Sequence, residues 1–253
     1  MPVSFNNPTW RLGNQMFQYA AALGLVEKIN THGNFAIDST YLSECFELGS
    51  LKNARVFTNN LYQEPRFDFC DDIFKVDPNL HTDLQGYFQS EKYFDHCSGR
   101  VKTDFTFKEN IRHRVGDDLP VGVLCSIHVR RTDYLQLAHV HTNLQVDWYE
   151  KAFENQKAHY GGELIPVVFS DDIEWCKENL SHLSDNIFFS DGDTYYDLCM
   201  MSFCNAHVIA NSSFSWWGAY LGGGRTVAPK EWFGESNPHG DWKDIYCDGW
   251  VIL

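Results

Sequence analysis

The sequence predicts an α/β protein built on parallel sheet, and three observations carry that expectation. In the second half of the chain, short apolar runs alternate with longer helical stretches, the pattern of strand, crossover helix, strand. The length of 253 residues suits one large domain or two of about 125 residues each. The composition, 43% apolar and 21% charged, is that of a folded globular chain and excludes a disordered or fibrous one.

After an irregular start broken by Pro2 and Pro8, Asn14 to Ile29 is predicted as a helix. Its Met16, Phe17, Ala20, Leu23 and Ile29 approximate one face, and Thr31-His32-Gly33 ends it. Phe35 to Asp38 reads as a short strand. Residues 40–120 are rich in aromatics and yield no element from their pattern. Beyond them, Val121 to Val129, Leu164 to Phe169, Asn186 to Phe189, His207 to Ala210 and Thr226 to Ala228 read as strands. Helices are predicted over Asp147 to His159, Ile173 to Leu180, Tyr195 to Cys204 and Trp216 to Leu221. In open parallel sheets ligands bind beyond the carboxyl ends of the strands. The informative residues are therefore those that follow each strand.

The charge balance narrows the partners. Lys and Arg total 20 against 34 Asp and Glu, a formal charge of −14. Such a field repels polyphosphates and anionic membranes, which argues against nucleic acid. Residues 121–253 hold only 8 basic side chains against 18 acidic ones, yet Arg130 and Arg131 are adjacent. The eight cysteines include no C-x-x-C pair, so neither a zinc site nor a compact disulfide framework is expected. No apolar stretch is long enough to span a bilayer, and Met1 to Trp10 has no basic-then-apolar signal pattern. A soluble, cytoplasmic protein is expected.

His128-Val129-Arg130-Arg131-Thr132-Asp133 closes the first strand of the second half. Two guanidiniums at a strand end can clamp a diphosphate, because their planar forks match phosphate oxygens; surface ion pairing is the alternative. Asp171 and Asp172 follow the next strand. They can accept hydrogen bonds from a base or sugar, hold a metal, or cap the helix near Ile173. Asn211-Ser212-Ser213-Phe214 turns from strand into helix, and the N–H groups there form a ready anion site. Trp216 and Trp217 just after it read as core. Near the N-terminus Gly13 permits close backbone approach and Asn14 is a good cap. Asp191-Gly192-Asp193 is either a metal-binding Asp-x-Asp or a turn.

Read together, these segments resemble the alpha-1,2-fucosyltransferase family and the wider set of fucosyltransferases with an H-x-R-R-x-D motif. The resemblance is carried by Arg11 to Tyr19, Gly86 to Tyr93, His128 to Tyr134, Val167 to Asp172 and Asn211 to Leu221, all in the family's order. Trp10 stands where the family usually has glycine, Met1 to Thr9 lacks the clean first strand, and Thr132 replaces a common glycine.

The resemblance implies two Rossmann-like domains facing across a cleft, the GT-B architecture. The expected division is residues 1–120 on the acceptor side and 121–253 binding GDP-fucose. It implies inverting transfer without a metal or other cofactor, to a hydroxyl of a glycan acceptor, most simply O2 of a galactoside. By position, Arg130 and Arg131 match the diphosphate ligands, and His128 and Asp197 match the guanine contacts. Gly13, Asn14, Asp171, Asp172, Asn211, Ser212, Ser213 and Phe214 complete the expected donor site. Arg130 is the expected electrostatic catalyst. Asp133 is the leading general base, with His139 and His141 behind it; alternatively Asp133 only orients an arginine.

Overall fold

The structure is a computed structural model that describes residues 3–5, 11–29, 35–37, 39–49, 60–161 and 163–253. The predicted helix stop at Thr31-His32-Gly33, and Pro2, Pro8, Trp10 and Asp38, lie outside the described residues. The chain divides into two compact units, Met1–Lys108 with His239–Cys247, and Glu109–Pro238 with Asp248–Leu253.

In the first unit β1 (Val3–Phe5), α1 (Leu12–Lys28), β2 (Phe35–Ile37), α2 (Thr40–Cys45), β3 (Asn60–Gln63), β4 (Thr82–Gln85) and α3 (Ser98–Asp104) follow in order. The strands form a parallel sheet in the order β2-β1-β4-β3. A strand at Val3–Phe5 was not expected: three buried residues between prolines are too few to show period-2 alternation. Helix α1 also departs from the predicted one-faced helix, being buried along nearly its whole length. Its second face is covered by residues 91–105. Tyr19 Oη donates to Asp104 Oδ2 at 2.7 Å, and a Cβ on Gly24 would lie 2.1 Å from the Tyr93 carbonyl oxygen. Asn14 is not the cap; it sits inside the first turn, behind Leu12 and Gly13.

The aromatics that hid the elements of residues 40–120 form this unit's core. Phe105 packs on Tyr19 at 5.1 Å and on Phe46 at 4.8 Å, and Phe88 packs on Tyr93 at 5.3 Å. Ring-on-ring packing supplies large buried area without needing regular secondary structure.

The second unit contains α4 (Glu109–Asp118), β5 (Leu124–Val129), α5 (Thr132–Gln136), α6 (Val146–Tyr160), β6 (Ile165–Ser170), α7 (Ile173–Leu180), β7 (Phe188–Phe189), α8 (Thr194–Ser202), β8 (Ala206–Val208), α9 (Ser213–Gly222), β9 (Arg225–Ala228) and β10 (Val251–Ile252). Its sheet is parallel throughout, ordered β10-β9-β8-β5-β6-β7. The chain runs outward from β5 to β7 and then returns to β8 on the other side of β5. That reversal is the topological switch point of a doubly wound sheet. Strand β5 is fully buried, as a central parallel strand should be. Trp216 and Trp217 are both inaccessible, so they are core.

The division does not fall at the expected residue 120, for identifiable reasons. Helix α4 belongs with the second unit: Arg114 pairs with Asp193 at 2.7 Å and lies 4.4 Å over the Tyr196 ring. Residues 239–247 belong with the first, where Asp244 accepts from the Phe69 N–H at 3.2 Å. All eight cysteines are free thiols. No helix among the described residues is long and apolar enough to cross a membrane.

A test of the α1 packing follows from Gly24. The Gly24→Ala methyl meets backbone that cannot rotate away, so overpacking should cost about 1–3 kcal/mol. A thermal melt should show Tm lowered by several degrees; an unchanged Tm would mean that α1 can shift off residues 91–105.

Candidate functional site

The second unit gathers its polar residues at the carboxyl ends of β5, β6 and β8. The chain leaves β5 at Val129 and delivers Arg130, Arg131, Thr132 and Asp133, the last two opening α5. Neighbouring β6 delivers Asp171 and Asp172. Because β5 and β6 are parallel and in register, with Val129 opposite Ser170, these two groups of residues emerge side by side.

The Asp171 carboxylate bridges them. It accepts from the Arg131 N–H at 2.9 Å, the Thr132 N–H at 3.2 Å and the Thr132 hydroxyl. Its Oδ2 also lies 3.1 Å from Arg130 Nη1. Arg130 Nη2 donates to Asp133 Oδ1 at 2.7 Å. The Arg130 side chain is 19% exposed and lies 5.6 Å over the Tyr134 ring. Among the described residues its Nε–H and one N–H on each Nη are left uncommitted. Arg131 is held differently. Its Nε donates to Asp172 Oδ2 at 3.2 Å, and its guanidinium stacks 3.8 Å from the Trp175 ring centre. Asp172 also caps α7 by accepting from the Trp175 N–H at 3.4 Å. This one residue thus realises two of the alternatives that the sequence leaves open, the helix cap for the acid and the ion pair for an arginine.

Across the switch point, β8 leads through Asn211 to Ser212, which caps α9 with its hydroxyl on the Phe214 N–H at 3.3 Å. Asn211 is buried, its Nδ2 donating to the carbonyls of Thr142 at 3.1 Å and Trp232 at 2.7 Å. Tyr134 Oη donates to the Asn211 carbonyl at 2.9 Å, so the ring beneath Arg130 is tied to the α9 turn. His128 is buried, with Nδ1 2.9 Å from Ser215 Oγ and its ring 5.6 Å from that of Phe214. Burial, reinforced by the Arg130 charge, pushes its pKa down to about 3. His128 is thus a neutral imidazole at ordinary pH.

Asp197 lies in the first turn of α8 and accepts from Ser190 Oγ at 2.5 Å. Burial raises its pKa to about 7, only partly opposed by the Ser190 hydroxyl. Asp193, in the rival Asp-x-Asp, caps α8 by accepting from the N–H groups of Tyr195 and Tyr196, each at 3.0 Å, besides pairing with Arg114. His139 is exposed. His141 stacks on Tyr134 at 4.1 Å with the planes 5° apart, which makes it part of the wall behind Arg130.

Arg130, Arg131, Asp133, Asp171 and Asp172 are therefore one cluster, with His128, Asn211, Ser212 and Phe214 joined to its edge. Gly13 and Asn14 lie in the first unit, where Asn14 Oδ1 accepts from Gln89 Nε2 at 2.8 Å. Sequence patterns assign no role to Tyr134, Trp175 or Ser190. An aromatic four residues beyond each charged doublet (Tyr134 after Arg130, Trp175 after Asp171) was the available signal.

The model of glycosyl transferase family 11 matches residues 5–253. The chain belongs to that family. It is 30% identical to an alpha-1,2-colitosyltransferase of Escherichia coli, across 88% of this chain and 89% of that protein. It is 26% identical to the galactoside alpha-(1,2)-fucosyltransferase 2 of Mus musculus, across 87% of this chain and 69% of that protein. Among solved structures, the alpha-1,6-fucosyltransferase NodZ co-crystallized with GDP shares the fold at a TM-score of 0.61, with 15% identity, over 87% of this chain and 92% of that one. This family 11 member is thus a glycosyltransferase of the alpha-1,2-fucosyltransferase type, with the expected GT-B class of fold.

Proposed function

We propose that this glycosyltransferase moves L-fucose from GDP-fucose to a hydroxyl of a glycan, most simply O2 of a galactoside, with inversion at the anomeric carbon. The observation that carries the proposal is Arg130, held by two carboxylates at the switch point with three N–H donors uncommitted among the described residues. A solved NodZ crystal soaked with GDP-fucose shares the fold, which supports the donor class.

Cleaving the sugar–phosphate bond leaves negative charge on the departing diphosphate. In this proposal Arg130 meets that charge with preorganised N–H groups, so it stabilises the transition state more than the ground state. Arg131, stacked and ion-paired, holds a second guanidinium in place beside it, and α9, opened by Ser212 and Ser213, turns the positive end of its helix dipole to the phosphate. Neutral His128 and ionised Asp197 contact guanine, the carboxylate accepting from the ring N–H groups. The acceptor hydroxyl gives its proton to Asp133 as it attacks. No step uses a metal, so activity should persist in EDTA. The colitosyltransferase relative favours one second reading, a donor that carries colitose in place of fucose.

Incubation with GDP-fucose and a panel of acceptors, with NMR of the product, tests the whole proposal; GDP release without a new glycoside would overturn it. Within that assay Arg130→Ala should lower kcat by roughly a hundredfold or more, as loss of a preorganised donor does. Arg130→Lys should also fall well short, because a point charge cannot replace the fork.

For Asp133→Asn, the base role predicts loss of the acidic limb of the pH–rate profile with GDP affinity retained. Weakened GDP binding in that variant would instead make Asp133 a positioning residue for Arg130.

Asp197 sets a third expectation. With its pKa near 7, it is mostly protonated in mildly acidic buffer and ionised in mildly alkaline buffer, and only the ionised form can accept from two guanine N–H groups. GDP should therefore bind more tightly as pH rises through about 7, measured by titration calorimetry. The Asp197→Asn variant separates this from titration of the nucleotide phosphate: a pH dependence as steep in the variant as in the wild-type chain would exclude Asp197 from guanine recognition.

A further inference from the structure

A cavity of about 360 Å³ opens in the second unit, away from the arginine cluster but at the same end of the sheet. Its walls come from the residues just before α6 and just after β9, and Trp148, Leu144 and Pro229 give it apolar surfaces. Asn143, Gln145 and Lys230 add hydrogen-bonding groups, and Asp147 and Glu231 add carboxylates. A volume of this size falls in the range of small-molecule sites, about 300–1,000 Å³.

Two observations connect this cavity with the reaction. Asn211 Nδ2 donates to the carbonyls of Thr142, which lines the cavity, and of Trp232, which follows its lining residue Glu231, so the residue that begins the α9 turn ties together the two segments that form the walls. Asn143 in turn donates to the Tyr134 carbonyl at 3.1 Å, beside Arg130. The second observation is the Asn143 Oδ1, which is enclosed at the wall with no hydrogen-bond partner among the described residues. An enclosed acceptor without a protein donor marks a place where an ordered water or a ligand hydroxyl supplies the missing bond.

An aromatic face beside amide and charged groups matches one ligand chemistry well. A sugar ring presents C–H groups on its faces and hydroxyls around its rim, so it can stack on an indole while bonding to amides. We infer that this cavity holds a sugar of the acceptor glycan other than the one that receives the transferred unit. The inference rests on the glycan-directed transfer proposed above and assigns it a second contact, one that selects among acceptors by what lies beyond the modified sugar.

Methyl β-galactoside and lactose serve as the probe pair, because lactose carries one further ring. Trp148 also packs against the core, so its truncation can fail for reasons of folding. The exposed Gln145→Ala and Lys230→Ala carry the test instead. Each should raise the KM for lactose about five- to tenfold, the loss of one or two hydrogen bonds. The KM for methyl β-galactoside, the KM for GDP-fucose and kcat should all stay unchanged. A KM for lactose unmoved by both variants, or one that moves equally for both acceptors, overturns the inference. An enzyme that transfers to no acceptor of the panel fails the parent proposal, and the cavity is then judged on binding alone. Saturation-transfer NMR should show lactose contacts that both variants weaken, and absence of lactose signal with the wild-type chain overturns the subsite.

Discussion

The Asp171 carboxylate is the contact on which the arrangement of the second unit's site depends. It accepts two backbone N–H groups and a hydroxyl from residues 131 and 132 and pairs with Arg130. The chain leaving β5 must turn sharply to start α5, and those N–H groups would otherwise need water or a ligand. Satisfying them from β6 fixes where residue 130 begins, and hence where its guanidinium can reach. Parallel register does the rest: Val129 stands opposite Ser170, so the carboxylate arrives beside the amides it must accept from. A one-residue slip would turn Asp171 to the other face of the sheet.

The two arginines, alike in sequence, divide the work because their surroundings differ. Arg131 stacks on Trp175 and bonds an acid that already caps α7, an arrangement that favours rigidity over reach. Arg130 bonds its carboxylates through its terminal nitrogens and keeps other N–H groups available. A cluster with more carboxylates than guanidiniums is no positive well. What it offers an anion is orientation, which is consistent with a chain of formal charge −14. Net charge governs long-range attraction of polymers; a single diphosphate at contact range meets individual N–H groups.

Much of the second unit was legible because parallel strands covered on both faces read as apolar runs. Ile173–Leu180 is the predicted helix without change, and the strand ends fell within a few residues. The first unit was far less legible. Helix α1 has no polar face because residues 91–105 cover it, so its pattern could show length but not orientation. The segment that carries Phe46, Phe88, Tyr93 and Phe105 packs ring on ring through short turns, which leave no periodicity to read. The residues of the charged cluster were legible where a charge doublet followed a strand. Tyr134, Trp175 and Ser190 went unassigned because an aromatic or a serine in a helix or loop looks the same whether it supports a guanidinium or fills space. The α4 boundary was invisible for a related reason, since it rests on Arg114 meeting Asp193, two residues far apart in the chain.

Support residues of this kind also explain why Asn211 is buried although it begins the turn nearest the proposed phosphates. Its amide joins two loops and its carbonyl receives Tyr134 Oη, so it uses both ends of the residue on the scaffold. A side chain so committed cannot also reach a ligand without releasing buried carbonyls, and unsatisfied buried carbonyls cost about 1–3 kcal/mol each. The two amide N–H groups of Asn211 are therefore positional. The residue sets the height of the α9 turn against Arg130, and within that turn the Ser212 N–H is taken by the Ala210 carbonyl and the Phe214 N–H by the Ser212 hydroxyl. The cluster is thus layered: carboxylates and amides facing inward define the backbone, and the groups left over, chiefly on Arg130, are the ones that the proposed transfer uses.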